Sequence, residues 1–354
     1  MRASVAVPFA LGTLLSCAAT IIGIVAYTNN PGDNFYFLGQ DELQHRAFAD
    51  LFLTGGGQSI FLNALRGEEL TGDSTWGTGF VIALSEYFFG TQLAFLVLKC
   101  VLHLVATLLL YQLLKKYRSE RLARYVAFFF LVYPPLQVYA TSFLKDDLVA
   151  SLVIITAALI DRKRYVLALV LIPLMVAIRM NSVMFPIILL AYLRRASLRQ
   201  LLMLSIIPLA TAVLIISQGY FEKLQDLAQL PPLTILFYVL KYLIGPLPTN
   251  ILNYDTEQAL IFPWYVFSFL AILASFFLRG FYASIRHNWL WIMLLVAAAL
   301  GPYLAYVNDA DVVGPRQFST VGWFFFILFY EKLLGYRFVF RLNAENGTRW
   351  SPAT

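Results

Sequence analysis

Apolar residues in this chain gather into long runs, and polar residues cluster between them. The runs cover 5–26, 91–114, 125–140, 148–160, 165–178, 185–193, 201–219, 264–278, 289–307 and 321–334. A helix that crosses a bilayer needs roughly 20 mostly apolar residues, so the pattern predicts about ten spans. Several runs fall short of that length, which implies tilted, broken or partly inserted helices. The fold class that follows is all-α, a polytopic transmembrane helical bundle forming one domain over 1–354. Within the first run, Leu14-Leu15-Ser16-Cys17 resembles a lipoprotein cleavage box. The apolar run continues past Cys17, which predicts an uncleaved helix instead of a signal peptide.

The polar clusters alternate in sign along the chain. Lys115, Lys116, Arg118 and Arg124 form one basic cluster, and Arg162-Lys163-Arg164 form the next. Arg194-Arg195 with Arg199 follow, then Arg279 with Arg286, then Lys332 through Arg341. Every second loop is basic, and Arg2 begins the series. By the rule that Lys and Arg collect on the cytoplasmic side, both termini are expected there. Residues 335–354 then form a short cytoplasmic tail, so glycosylation at Asn346-Gly347-Thr348 is not expected. The remaining loops face outward. Two are long, 27–90 and 220–263, and three are short, 141–147, 179–184 and 308–320. No internal repeat or separate soluble domain is visible.

Composition agrees with a lipid environment. Of 354 residues, 60% are hydrophobic and 13% charged. Soluble domains carry about 25% charged residues, so this chain has too few to cover a globule in water. The net charge of +6 sits in short loops between apolar runs, which argues against nucleic acid. Cys17 and Cys100 lie inside apolar runs and read as small buried hydrophobes.

The outer loops hold the candidate chemistry. In 27–90, a helix is expected to start near Asp41, with Leu43, Ala47 and Leu51 as a rough apolar stripe. Asp41 and Glu42 would then lie in its first turn. They serve either as charges favoured by the helix dipole or as a carboxylate held as general base. Residues 80–89 read as a second amphipathic segment, so this loop is expected to carry interfacial helices. Lys145, Asp146 and Asp147 lie together between two runs, either solvated or functional. Arg179 and Arg316 place positive charge on the side that is otherwise poor in it. Each is either salt-bridged to a loop carboxylate or part of a phosphate clamp, for which the guanidinium fork is suited. Inside the spans, Lys99 and His103 stand one helical turn apart, and Lys241 is a further candidate for a transport path.

Four features together resemble polytopic glycosyltransferases of the GT-C fold, in the protein O-mannosyltransferase and aminoarabinose transferase branch. They are Asp41-Glu42 followed by Ala47-Phe48-Ala49, the segment 77–90 ending Glu86-Tyr87-Phe88-Phe89-Gly90, the basic hairpin 115–124, and Tyr133-Pro134 with Tyr139, Ser142 and Lys145-Asp146. The likeness covers roughly residues 5–160, and the second half of the chain matches less well. His45 stands where relatives often carry an aromatic residue or Arg.

The resemblance implies a sugar donor linked to polyprenyl phosphate and a glycan, lipid or protein acceptor. It implies the bacterial inner (plasma) membrane and outer-face chemistry. Asp41, with Glu42, would act as the catalytic carboxylate, and Arg179, Arg316 and Lys145 would bind the donor phosphate. His45, Arg46 and Asp146 would orient the acceptor or a cation. Runs 201–219 and 264–278 would flank a groove for the lipid tail, with 237–252 as an interfacial lid. No spacing demands a metal, and a divalent cation is left open. Two rivals stand beside it, a polysaccharide polymerase using lipid-linked oligosaccharides and a lipid-linked saccharide transporter.

Overall fold

The computed structural model of the chain describes residues 3–29, 40–54, 59–72, 76–196, 263–304 (apart from 265, 268, 269 and 272), 315–335, 338–341 and 349–352. Among them the fold is almost entirely helical. Helix α1 is Ala3–Asn29, and α2 is Gln40–Thr54. Short α3 (Ile60–Leu65) and α4 (Gly67–Thr71) lead to α5 (Gly77–Phe89). Next come α6 (Ala94–Tyr117), α7 (Glu120–Val132) and α8 (Pro134–Ala140). Then follow α9 (Asp146–Asp161), α10 (Tyr165–Ile178) and α11 (Met184–Leu193), with a 3-10 turn at Met180–Val183 before α11. Two long helices close the bundle, α12 (Arg279–Leu304) and α13 (Pro315–Gly335).

Helix boundaries follow local chemistry. The Ser119 hydroxyl accepts the Leu122 N–H at 3.2 Å and caps α7. Tyr133-Pro134 ends α7 and starts α8, because proline at the first helical position lacks only a donor that would be unsatisfied anyway. Helix α5 stops at Gly90, whose φ of 73° lets its N–H reach back to the Glu86 carbonyl.

One expectation is corrected. Among the described residues, two helices are long and apolar enough to cross a membrane, Val7–Asn29 and Ala94–Tyr117, not about ten. The runs at 125–140, 148–160, 165–178 and 185–193 fold as helices of 7 to 16 residues, which are short against the roughly 20 residues a span requires. The run at 201–219 and the loop 220–263 lie outside the described residues. The described part of the tail holds one short hairpin. Strands β1 (Phe338–Arg341) and β2 (Arg349–Pro352) pair antiparallel, with Phe340 opposite Trp350.

Helix α6 is the axis of the bundle and packs against α1, α5, α7 and α9, while α13 packs on α7, α9 and α12. Buried aromatics fill the centre, including Phe95, Phe130, Phe143, Tyr192, Trp323 and Phe324. Phe129 and Phe326 stack with centroids 4.0 Å apart, joining α7 to α13. The outside is apolar as well. Leu14 on α1 is 65% exposed and Val166 on α10 is 75% exposed. Broad exposed apolar faces of this kind mark contact with a membrane or a partner.

The basic residues that close α6, α9 and α11 gather at one end of the bundle. The Asp161 carboxylate accepts from Lys116 Nζ and Arg194 Nη2, each at 2.8 Å, and from the Tyr117 hydroxyl. Burial pushes the Asp161 carboxyl up, but the bonds from Arg194, Lys116 and Tyr117 outweigh it and hold its pKa at about 2. Nearby, Arg118 donates to the Tyr192 carbonyl at 2.6 Å and pairs with Glu331 at 3.6 Å. Glu331 also accepts from the Tyr192 hydroxyl and from Asn288. This end therefore ties α6, α9, α11, α12 and α13 together. The outer-loop candidates lie at the opposite end, where Lys99 near the start of α6 meets residues 139–147.

Candidate functional site

The second end of the bundle is built around a tight corner, residues 139–147, between α8 and α9. Helix α2 lies beside it. On α2 the buried positions are Glu42, His45, Phe48, Ala49 and Phe52, whereas Leu43 and Leu51 are about two-fifths exposed at 42% and 41%. The stripe of Leu43, Ala47 and Leu51 is therefore the outward face, and the polar Glu42 and His45 turn into the bundle. The reason is packing. Gly79 of α5 approaches α2 so closely that a Cβ there would lie 2.4 Å from the Phe48 Cβ and 3.1 Å from the His45 carbonyl oxygen. The small residues Gly79 and Ala49 set which face of α2 docks.

That rotation divides the acidic pair. Asp41 is half-buried in the first turn of α2. Glu42 is buried, and its Oε1 accepts the Tyr27 hydroxyl from the end of α1 and the Phe143 N–H at 2.7 Å from the corner. Glu42 thus joins three parts of the chain. Arg46, one turn further, lies over the rings of Tyr27 and Phe143 at 5.7 and 5.3 Å. Its Nε donates to Gln92 Oε1 at 3.1 Å, and Gln92 Nε2 donates to Asp50 at 3.0 Å.

The other half of the site comes from α9, the 3-10 turn and α13. Asp146 and Asp147 open α9, where the dipole favours negative charge, and both are buried. Asp146 Oδ1 accepts from Arg179 Nη2 at 2.6 Å. Arg179 Nη1 lies 3.4 Å from the Thr320 hydroxyl on α13. Arg316 lies in the first turn of α13, one turn before Thr320. Lys145 precedes α9 and is half-buried. The structure therefore brings Glu42, Arg46, Asp146 and Arg179 together around the corner, with Asp41, Lys145 and the Arg316 position at the same end.

Several participants carried little sequence signal. Tyr27 read as the first residue of the long outer loop, and Gln92 as part of the apolar run 91–114. The Phe143 contribution is a main-chain N–H, which no residue type announces. Lys99 was singled out only as a charge inside a span. Its Nζ is caged by the carbonyls of Tyr139, Ser142 and Leu144 at 2.8, 2.6 and 3.2 Å and by Asp147 Oδ1 at 3.0 Å.

Chemically, the end offers a half-buried carboxylate, an arginine oriented by a buried aspartate, and a second arginine position one turn away from that arginine's threonine partner. A guanidinium fork so held presents directed donors to an oxyanion. Among the described residues, no group of three or more His, Cys, Asp or Glu side chains could hold a metal ion. No family model, no curated protein and no solved structure matches this chain.

Proposed function

We propose that this chain is a polytopic membrane glycosyltransferase of GT-C type, which transfers a sugar from a polyprenyl-phosphate donor to an acceptor hydroxyl at the membrane's outer face. The observation that carries the reading is the meeting of carboxylates and arginines at the end of the bundle opposite the basic clasp. Two apolar helices of spanning length and the exposed apolar faces of α1 and α10 support membrane association.

Asp41 is the base in this reading, because it is the half-exposed member of the pair. Its carboxylate takes the acceptor's hydroxyl proton. The acceptor oxygen attacks the anomeric carbon as the bond to the phosphate oxygen breaks, with inversion. The electron pair leaves on polyprenyl phosphate. Arg179, oriented by Asp146, with Arg316 and Lys145, offsets that charge. Glu42 holds α2 against the corner, so that Asp41 meets the acceptor in one place.

The test is release of polyprenyl phosphate and transfer of labelled sugar by the purified chain in detergent, with polyprenyl-phosphate sugars as donors. Asp41→Asn is expected to lower the rate by about 10²–10⁴-fold with folding intact. Full activity in that variant overturns the mechanism. Arg316→Ala is expected to weaken binding of polyprenyl phosphate, and unchanged affinity counts against the clamp.

A second reading, transport of a lipid-linked saccharide, is favoured by one observation. Lys99 and Asp147 pair between α6 and α9, His103 is buried one turn further along α6 against Phe130 of α7, and charges inside a bundle often mark a path. Proteoliposomes separate the two readings. Movement of intact lipid-linked saccharide without cleavage supports transport.

A further inference from the structure

Lys99 is used by nothing in the mechanism above, and its surroundings are unusual. It lies in α6 and is 1% exposed. Four oxygens surround its ammonium at 2.6 to 3.2 Å, three of them main-chain carbonyls from the six residues 139–144. An ammonium has only three donors, so the arrangement is closer to ion coordination than to one-to-one hydrogen bonding. The ring of Phe95 adds a fifth side, 5.2 Å from Nζ. The Tyr139 carbonyl lies in the last turn of α8, where a lysine side chain can meet carbonyls the helix leaves unpaired, and the Ser142 and Leu144 carbonyls turn to the same ammonium. Asp147 supplies the balancing charge.

The consequence lies on the far side of the same peptide groups. A trans peptide is planar, with its C=O and N–H pointing in opposite directions. The carbonyl of Ser142 points at Lys99 at 2.6 Å. The N–H of the same peptide belongs to Phe143 and points at Glu42 Oε1 at 2.7 Å. A cation on the oxygen also polarises the N–H and strengthens its bond to a carboxylate. The order is ammonium, carbonyl, N–H, carboxylate, across one rigid plane. Asp146, which follows directly, holds Arg179 at 2.6 Å.

We propose that Lys99 is a positioning residue: its ammonium is a tethered monovalent cation that sets the 139–147 corner and, through the Ser142–Phe143 peptide, holds Glu42 in place for the outer-face site. The link to catalysis rests on the transferase reading, whereas the positioning of the corner does not.

The experiment reads the corner directly, by hydrogen exchange of the segment 139–147 in the full-length protein in detergent, with polyprenyl phosphate release measured alongside. Lys99→Ala removes three methylenes and the ammonium, and n-propylammonium supplies them back. The expected result is exchange about tenfold faster or more in Lys99→Ala, from loss of charged hydrogen bonds. Millimolar n-propylammonium should restore slow exchange, and 1-propanol of the same size should not. Transfer activity should recover with the ammonium only. If 1-propanol restores the corner as well as n-propylammonium does, the role is cavity filling and the proposal fails.

Should Lys99→Ala not fold, Lys99→Met/Asp147→Leu removes the pair without leaving a lone buried charge. That double variant is expected to fold and still exchange fast at 139–147. Exchange as slow as in the unaltered chain overturns the proposal. If the corner responds as expected while no variant, nor the unaltered chain, transfers sugar, the transferase reading fails and the positioning role stands.

Discussion

A buried carboxylate is stable only where donors replace the water it gave up. Glu42 meets that condition through Tyr27 and the Phe143 N–H, both on Oε1. The cost of removing it is therefore mostly the cost of stranding those donors. Glu42→Ala is expected to lower unfolding stability by about 1–3 kcal/mol, read by denaturant unfolding in detergent. Glu42→Gln keeps one acceptor oxygen and is expected to lose less. If both variants unfold as the unaltered chain does, Glu42 does not tie α1, α2 and the corner together. The Asp41-Glu42 pair was visible in the sequence, and so was its place in the first turn of α2. What the sequence concealed was which side is buried. Leu43, Ala47 and Leu51 are the apolar stripe, yet they face outward, because the close approach of Gly79 seats the Phe48 and Ala49 side of α2 inward.

At the scale of elements, one close approach seats α1 against the corner. A Cβ on Gly23 of α1 would lie 2.4 Å from the Thr141 carbonyl oxygen. That atom is backbone in the clamped corner, so it cannot give way as a flexible side chain would. Gly23→Val is expected to destabilise the protein by about 1–3 kcal/mol through forced separation of α1 from the corner, measured by the same unfolding assay. A stability unchanged by Gly23→Val would show that α1 is not seated there.

At the other end, Asp161 joins α9 to α6 and α11. Its pKa is held at about 2, below the ordinary 3.8, so its contribution is present above about pH 4 and is lost as pH falls through 2. Asp161→Asn is therefore expected to lower the melting temperature at pH 7, with the gap from the unaltered chain closing as pH falls toward 2. A gap that stays constant with pH would mean the carboxylate's charge is not what matters. Sequence reading anticipated α6 well, since the run 91–114 covers almost the whole helix despite Lys99 and His103, whereas the run 125–140 is divided at Pro134 into α7 and α8. It overcounted spans because apolar runs report burial without saying whether lipid or protein covers them.

For the whole molecule, the decisive feature is polarity from end to end. The basic clusters alternate along the sequence, and the structure collects those on α6, α9 and α11 into one network through Asp161, Arg118 and Glu331. Because cytoplasmic loops carry an excess of lysine and arginine, this shared end is predicted to face the cytoplasm. The positions that test this are exposed turns at opposite ends. Lys163 sits in the turn between α9 and α10 with φ of 58°, among Arg162 and Arg164. Leu65, at the end of α3, is 84% exposed and belongs to the segment between α1 and α6.

In a background with Cys17 and Cys100 replaced, Lys163→Cys is expected to react with a membrane-impermeant maleimide only after the inner leaflet is opened. Leu65→Cys is expected to react in intact cells. The reverse result would place Asp41, Asp146 and Arg179 on the cytoplasmic side. An outer-face donor would then have no access to them, and the transferase reading would fall with the topology. Reaction of both cysteines in intact cells would mean that the bundle does not separate two compartments. The two labels therefore test, without any substrate, the premise on which the site chemistry depends.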